Sequence, residues 1–238
     1  MIVLAINEKI KKEVGMKKLS ETLLRTLAVF IGLVVEGCAS VFMIRADVGA
    51  GAWTTITQGF SIQTGYTIGQ MTTIVGLFTL AADLLLGEKI GIGTLLDTFV
   101  YGMTYDVFDR LLVTPENPPF AYGYILLIFG IVTEIIGLAI CLHGRLSFGP
   151  RDMFSIGMSK KIPKLTVGKV NLIVNVVFVF VGWLLGATVG IGTIVFIVLY
   201  APIMDGIFAL LRFDPRDVKQ ESVYETFESL KTAFSSKA

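Results

Sequence analysis

Long apolar runs, interrupted by short polar or glycine-rich breaks, make up most of the chain. Several runs reach about 20 residues, the length that an α-helix needs to cross about 30 Å of hydrocarbon. Apolar residues do not alternate with polar ones along these runs, as they do in the strands of a membrane β-barrel. The pattern therefore predicts an all-α polytopic membrane helix bundle with six spans. These spans cover approximately 27–44, 66–86, 90–112, 121–142, 167–185 and 189–211.

Composition agrees with a membrane location. Apolar residues form 54% of the 238 and charged residues only 16%, with a mean hydropathy of +0.76. These are too few polar side chains to cover a water-soluble domain. The net charge of +1 gives no indication of nucleic-acid binding, so the lipid bilayer is the expected partner. Cys38 and Cys141 lie in predicted spans without His or Cys at ligand spacing, so we expect no disulfide, no metal and no cofactor.

Lysine and arginine residues determine the predicted orientation, because the cytoplasmic segments of membrane proteins are enriched in them. If both termini lie in the cytoplasm, 18 of the 20 basic residues fall on that side and only Arg45 and Arg110 lie outside. The predicted localisation is therefore the bacterial cytoplasmic membrane, with multiple passes and both termini inside. Residues 1–26 then form a cytoplasmic N-terminal segment, 114–120 a Pro-rich external loop and 213–238 a cytoplasmic amphipathic helix.

An internal repeat organises the predicted spans. The stretch GIGT occurs twice, and a shift of 99 residues lays 67–112 over 166–211 with 15 of 46 pairs identical. The identical pairs include Tyr101 with Tyr200. A shift of 98 residues aligns the earlier parts of the two copies. An apolar bias alone would give about one identity in ten, so we interpret the pattern as an internal duplication.

Each copy contains three predicted spans, at 27–113 for the first repeat and 121–212 for the second. Because three is an odd number, the second copy must insert in the opposite sense from the first. Inverted-topology repeats are typical of secondary transporters, in which two mirrored halves open one central site to either side in turn. Such repeats also occur in channels and in membrane proteins that carry nothing.

Two segments too short to span the membrane, 49–62 and 147–161, lie between the first and second spans of each copy. Each is predicted to form a short helix, either flat on the membrane or re-entrant, and a re-entrant helix would point its N-terminal N–H groups at a bound group. The segments differ at two aligned pairs, Trp53-Thr54 and Arg151-Asp152. The Arg-Asp pair is interpreted as an internal salt bridge, a gate or a contact for a charged solute.

Acidic residues inside the predicted spans give the sharpest functional signal. A carboxylate at the bilayer centre costs at least ~2.5–3.5 kcal/mol, so such groups usually face a cavity or a partner. Glu36 and Glu134 lie at matched positions near the middle of spans 1 and 4, and they either bind solute and protons or brace neighbouring helices. Asp106 and Asp205 form a second matched pair, at either interfacial or pathway positions.

Span 5 adds two amides, Asn171 and Asn175, one helical turn apart. They either hydrogen-bond a solute or hold a neighbouring helix. The sequence contains no nucleophile–base arrangement, no phosphate-binding loop and no metal motif. An enzymatic function is therefore not expected.

Three stretches resemble one bacterial membrane family: GAGAWTTITQGFSIQTGYTIGQMTTIVG, FGPRDMFSIGMSKK and GATVGIGTIVF. They are similar to the integral membrane proteins of the YczE/YyaS type, which are related to the YitT-like group. The resemblance extends over about 27–211. The family has a Gly-Pro-x-Asp segment in each copy. Here the second copy keeps it at 149–152, whereas the first copy has Ala52 in place of Pro and Thr54 in place of Asp. The resemblance implies the membrane architecture and adds little about substrate.

These observations favour a six-span carrier for a small polar or charged solute, coupled to protons, with Glu36 and Glu134 as binding or coupling residues. Arg151 and Asp152 would form a cytoplasmic gate. A non-transporting scaffold or regulator of a cytoplasmic protein is the competing hypothesis. A substrate-capture subunit of a larger importer is the third. A homo-oligomer is compatible with each.

Overall fold

The computed structural model describes the backbone of residues 2–113, 119–146, 149–162, 164–165, 167–210 and 221–235. Side chains are described within those ranges except at 2–14, 120, 167–168, 201–202, 204–205, 207–208 and 234–235. Every regular element in these ranges is helical. The helices are α1 (Ile2–Arg45), α2 (Ala52–Thr64), α3 (Ile68–Leu86), α4 (Ile92–Leu96), α5 (Gly102–Leu111), α6 (Phe120–Gly144), α7 (Pro150–Lys161), α8 (Val167–Leu184), α9 (Ile191–Leu210) and α10 (Val223–Ser235).

Three helical stretches among the described residues are long and apolar enough to cross a membrane: Gly15–Arg45, Ile68–Leu86 and Ala121–Gly144. Lys169–Leu184 and Ile191–Tyr200 are shorter apolar helices. Large apolar side chains are exposed around the bundle, as lipid contact requires, including Phe78 and Leu85 at 74% and 88%. The all-α membrane class is thus confirmed, with three spans identified by length and composition.

Two predicted elements differ in form from the structure. The predicted third span is divided, because α4 and α5 are joined by a π-helical turn at Asp97–Tyr101. The predicted N-terminal segment is continuous with the first span, since α1 runs unbroken from Ile2 to Arg45. The Pro-rich loop predicted at 114–120 lies largely outside the described residues.

Local signals explain where the helices of the first half begin and end. Thr67 and Gln70 form a capping box at the start of α3, with each side chain accepting the other residue's backbone N–H at 3.1 and 3.0 Å. The helix ends at Gly87, whose φ of +86° is the left-handed conformation that glycine adopts without steric cost. These two caps define the ends of α3, a helix of 19 residues.

Helix starts and turns recur along the chain at the spacing of the sequence repeat. Helices α2, α3 and α4 begin at residues 52, 68 and 92, and α7, α8 and α9 begin 98, 99 and 99 residues later. Asp47 and Arg145, also 98 residues apart, are the non-glycine residues with positive φ in the described chain, at +51° and +54°. Similarity between the two copies therefore extends from residue identity to backbone conformation.

Contacts between the two halves come in reciprocal pairs. The Gly93 N–H donates to the Leu146 carbonyl at 3.0 Å, and the equivalent Gly192 N–H donates to the Val48 carbonyl at 2.7 Å. Helix α2 of the first half packs on α8, and α7 of the second half packs on α3. Each half therefore packs against the other through its short helix, α2 in the first half and α7 in the second.

Helices α1 and α6 pack along each other at the centre of the bundle. Glycines allow this close approach, because a Cβ on Gly32 would lie 2.5 Å from Cys141 Sγ and one on Gly130 would lie 2.7 Å from Met43 Cγ. Leu127 and Ile131 are fully buried beside them. The two helices that carry Glu36 and Glu134 thus form the core.

Helix α10 is attached to the end of the bundle where α6 ends. Ser222 and Glu225 form its capping box, with backbone-to-side-chain hydrogen bonds of 2.9 and 3.1 Å. Lys89 forms an ion pair with Glu225 at 3.1 Å. Arg25 of α1 joins the Glu221 carboxylate at 2.9 Å and donates to the carbonyl groups of residues 144 and 145. The C-terminal helix is therefore held by both α1 and the turn before α4.

Candidate functional site

A cavity of about 60 Å³ with both polar and apolar lining residues lies beside the crossing of α1 and α6. The start of α7, the π-helical turn and single residues or pairs from α2, α3, α4 and α9 also line it. Charged and aromatic side chains from both halves line it together with apolar residues. The charged and aromatic members are Glu36, Trp53, Asp97, Tyr101, Glu134, Arg151, Asp152 and Tyr200.

The two glutamates reach the cavity because the helices that carry them are closely packed. Glu36 lies against Gly137 of α6, where a Cβ would approach Glu36 Cγ to 2.7 Å. Any larger residue at 137 would displace this carboxyl group. Glu134 is 5% exposed, and its Oε2 atom has no hydrogen-bond partner among the described residues. A buried carboxyl oxygen without a donor is costly, so a bound proton or ligand would relieve it.

The start of α7 places a charged pair at the wall. Gly149 is the N-cap in an extended conformation and Pro150 occupies the first turn, where its missing N–H costs nothing. Arg151 and Asp152 follow, with Nε and Oδ1 3.5 Å apart and each side chain about 30% exposed. A Cβ on Gly149 would overlap the Asp97 carboxylate, so this glycine is what lets Asp97 approach the positive end of α7.

The π-helical turn brings Asp97 and Tyr101 to the cavity together. Such turns widen the helix by one residue per turn and are frequent at functional sites. The Tyr101 hydroxyl is hydrogen-bonded to the Ser40 hydroxyl of α1, and both are buried. The equivalent tyrosine, Tyr200, stacks on Phe196 with ring centroids 4.9 Å apart.

Negative groups outnumber positive ones in the cavity wall. Arg151 interacts electrostatically with Glu36, Asp97 and Glu134 as well as with its neighbour Asp152. It is the one basic residue among the described residues that line the cavity. No group of three or more His, Cys, Asp or Glu side chains in the described part of the chain is arranged to hold a metal ion. The described wall therefore combines four carboxyl groups, from Glu36, Asp97, Glu134 and Asp152, with one guanidinium group, from Arg151.

The structure brings five of the predicted site residues together at the cavity. They are Glu36, Glu134, Trp53, Arg151 and Asp152. Thr54 is buried in α2, outside the set of described residues that line the cavity.

The other predicted polar residues lie elsewhere. Asp106 accepts hydrogen bonds from the Thr67 hydroxyl at 2.5 Å and the Gly69 N–H at 3.0 Å, and so holds the start of α3. The Asn175 amide donates to the Asn171 side-chain oxygen at 2.6 Å along α8. The side chain of Asp205, the repeat partner of Asp106, lies outside the described residues.

The polar residues of the cavity lining that were not predicted as site residues include Asp97, Tyr101 and Tyr200, together with Thr72 and Thr98. The tyrosines carried a usable signal, because they are an identical pair in the repeat and lie within apolar spans. In the sequence, Asp97 stood out only as an acidic residue within an apolar run, and the aligned position of the second copy is not acidic. Its contact with α7 depends on the π-helical turn, which the sequence pattern did not reveal.

Comparison with known proteins identifies the family. A model of a family of unknown function, DUF6198, matches residues 23–208. The chain belongs to this family. A curated uncharacterized protein of Haemophilus influenzae is 27% identical over 173 residues, or 72% of this chain and 78% of the relative. The uncharacterized membrane protein YczE of Bacillus subtilis is 25% identical over 176 residues, or 73% and 80%. No solved structure matches the chain.

These matches confirm the resemblance to YczE-type proteins and the membrane class of this DUF6198 member. The matched range begins within α1 and ends within α9, so it includes every element that lines the cavity. Helix α10 lies beyond the matched range.

Proposed function

We propose that this protein is a secondary transporter that carries a small polar or charged solute in exchange with protons. Six spans in two inverted halves would open the cavity to each side of the membrane in turn. The observation that carries the proposal is the position of Glu134. This buried carboxyl group, with one oxygen lacking a partner among the described residues, faces a cavity between two matched halves.

Several features support six spans in the cytoplasmic membrane. Helices α1, α3, α6, α8 and α9, with the α4–α5 segment, occupy the six predicted positions. The division of Lys and Arg favours both termini in the cytoplasm. Three helical passes per copy then give the two halves opposite directions, the arrangement typical of alternating-access carriers.

The packing beside the starts of α2 and α7 supports a mechanism by which the cavity opens and closes. Near α2, the Phe196 ring fills the space beside Gly51. A Cβ added to Gly51 would lie 2.8 Å from the Cζ atom of this ring. At the equivalent place near α7, Asp97 lies beside Gly149 and the cavity remains. In the proposed orientation the closed end faces outward and the cavity lies toward the cytoplasm. Rocking of one half on the other would separate Phe196 from Gly51 and open the outer end.

Glu36 and Glu134 would couple solute to protons in this mechanism. A carboxyl group in a low-dielectric site binds either a proton or another positive partner, because an uncompensated charge there is strongly unfavourable. Solute entry from one side would release the proton, and proton return from the other side would release the solute. The net charge of the site would stay nearly constant through the cycle.

A reconstitution experiment tests this proposal. The purified full-length protein would be placed in liposomes that contain a trapped pH-sensitive dye. Neutral, anionic, zwitterionic and cationic solutes would then be added outside. We expect one solute class to drive proton movement, and we expect Glu134→Gln to abolish it. Asp47→Asn is the matched control, because this exposed residue has a positive φ that asparagine tolerates. If no solute class moves protons, the proposal is wrong.

A further inference from the structure

The chemistry of the cavity wall narrows the class of solute, provided that the proposed transport function holds. We propose that the transported solute is a small organic cation, bound by the carboxylates of the cavity between aromatic side chains. Four observations carry this inference: the excess of carboxyl groups, one unsatisfied carboxyl oxygen, the aromatic lining and the size of the cavity.

The charge balance of the wall favours a positive guest. Arg151 forms an ion pair with the adjacent Asp152, at 3.5 Å. Glu36, Asp97 and Glu134 remain, and the described lining supplies no further basic group for them. Because isolated buried carboxylates are strongly unfavourable, these groups need either protons or a cation. An anionic solute would add to the repulsion and would have one guanidinium to bind it.

Glu134 supplies an independent indication of a ligand. Its side chain is 5% exposed and lines the cavity, yet Oε2 has no hydrogen-bond donor in the part of the chain that the structure describes. By contrast, the buried hydroxyl of Tyr101, another lining residue, is hydrogen-bonded to the Ser40 hydroxyl. A cationic N–H donor would form a charge-assisted hydrogen bond with the free oxygen.

The lining favours an organic cation over a metal ion. Trp53, Tyr101 and Tyr200 line the same cavity, and the face of an aromatic ring attracts alkylammonium and guanidinium groups. The described His, Cys, Asp and Glu side chains include no group of three arranged around a metal position. A wall that combines carboxyl groups with aromatic side chains suits an organic cation better than a bare metal ion.

The cavity size limits the guest. Its volume of about 60 Å³ favours a guest of only a few heavy atoms. Guanidinium has four heavy atoms and tetramethylammonium has five, so both are reasonable probes. Guanidinium donates hydrogen bonds and tetramethylammonium does not, so comparison of the two separates hydrogen bonding from the aromatic contribution.

Two measurements with the full-length protein test the inference. Thermal unfolding in detergent would be followed with millimolar guanidinium, tetramethylammonium, urea, methanesulfonate or glycine. Urea is the neutral counterpart of guanidinium, with the same number of heavy atoms and a similar planar shape. The same solutes would then drive proton movement in the dye-loaded liposomes. Guanidinium and tetramethylammonium remain charged, so they do not carry protons across the lipid by themselves.

We expect guanidinium to raise the unfolding temperature and to drive proton efflux. Urea and methanesulfonate should give at least a tenfold smaller effect in both measurements. Glu134→Gln should remove both responses, and Asp47→Asn should retain both. If methanesulfonate, glycine or urea drives the flux instead, the cation assignment is wrong and transport stands. If guanidinium stabilises the protein without any proton movement, the cation site stands and the transport function is wrong. If no probe binds or moves protons, both proposals fail.

Discussion

Asp97 and Phe196 occupy equivalent positions in the two halves of the chain, and each lies against the glycine that precedes a short helix. The Asp97 carboxylate touches Gly149 before α7, and the Phe196 ring touches Gly51 before α2. The same backbone arrangement therefore holds a carboxylate in one half and a phenyl ring in the other. The two equivalent sites therefore differ in polarity, with a charged group beside Gly149 and an apolar ring beside Gly51.

The first prediction concerns these two glycines. Gly149→Ala would place a Cβ on the Asp97 carboxylate and push it from the cavity, whereas Gly51→Ala would press on the Phe196 ring. Both variants should lose about 1–3 kcal/mol of stability, as overpacked sites do. Gly149→Ala alone should also lower the affinity for guanidinium, on the order of tenfold, because a charge-assisted contact with Asp97 is lost. Thermal unfolding with a guanidinium titration measures both effects. Equal guanidinium affinity in the two variants would contradict the assigned role of Asp97.

The repeat explains how much of this site could be predicted from sequence. Glu36 and Glu134 could be paired because each lies in an apolar run at the same offset in its copy. Arg151 and Asp152 were found because they replace Trp53-Thr54 in an otherwise similar segment. Both signals are local comparisons within the chain, and they require no knowledge of packing.

Tertiary geometry accounts for what the sequence could not predict. The π-helical turn that begins at Asp97 depends on how α4 and α5 fit between α1 and α3, and no residue pattern marks it. Asp106 lies 39 residues after Thr67, the side chain that it binds. Its likeness to Asp205 left both an interfacial and a pathway position open, and its contacts in the structure are those that hold the start of α3.

Two tyrosines of the same helical segment should respond differently to loss of the hydroxyl. Tyr101 is hydrogen-bonded to Ser40, whereas the buried Tyr105 hydroxyl has no partner among the described residues. Tyr101→Phe should cost about 1 kcal/mol, because the buried Ser40 hydroxyl loses its partner. Tyr105→Phe should be neutral or stabilising, since it removes an unsatisfied buried group. Urea or thermal unfolding compares the pair, and Ser40→Ala combined with Tyr101→Phe closes a double-mutant cycle. A coupling energy near zero would show that the hydroxyl contact is not formed.

Asp106 is expected to act on stability rather than on solute binding. Its carboxylate accepts from the Thr67 hydroxyl and the Gly69 N–H at the start of α3. Asp106→Ala should therefore cost about 1–3 kcal/mol, the typical penalty for buried or partly buried donors left without an acceptor. Guanidinium should still raise the unfolding temperature of this variant by the same amount as in the parent. A selective loss of that response with unchanged stability would instead assign Asp106 to the solute pathway.

Attachment of α10 should depend on pH through Glu225, which lies outside the membrane spans. Backbone and side-chain hydrogen bonds with Ser222, together with Lys89, lower the pKa of Glu225 from 4.5 to about 2. Because the folded-state pKa is lowered, the contact contributes its full stabilisation above the unfolded pKa of about 4.3. That contribution is lost as the pH falls from there through about 2. Hydrogen exchange of the amides of Val223–Ser235, corrected for the intrinsic rate, should show less protection at pH 3 than at pH 6.

Glu225→Gln tests the cause of this pH dependence. The variant keeps a side chain of the same size but removes the charge that binds Lys89 and the Ser222 N–H. Its α10 protection should already be lower at pH 6 and should change little toward pH 3. Glu228→Gln, on the same helix, is the matched control and should retain the parent's response. Equal protection of the parent at both pH values would mean that other contacts, such as Arg25 with Glu221, hold α10 in place without Glu225.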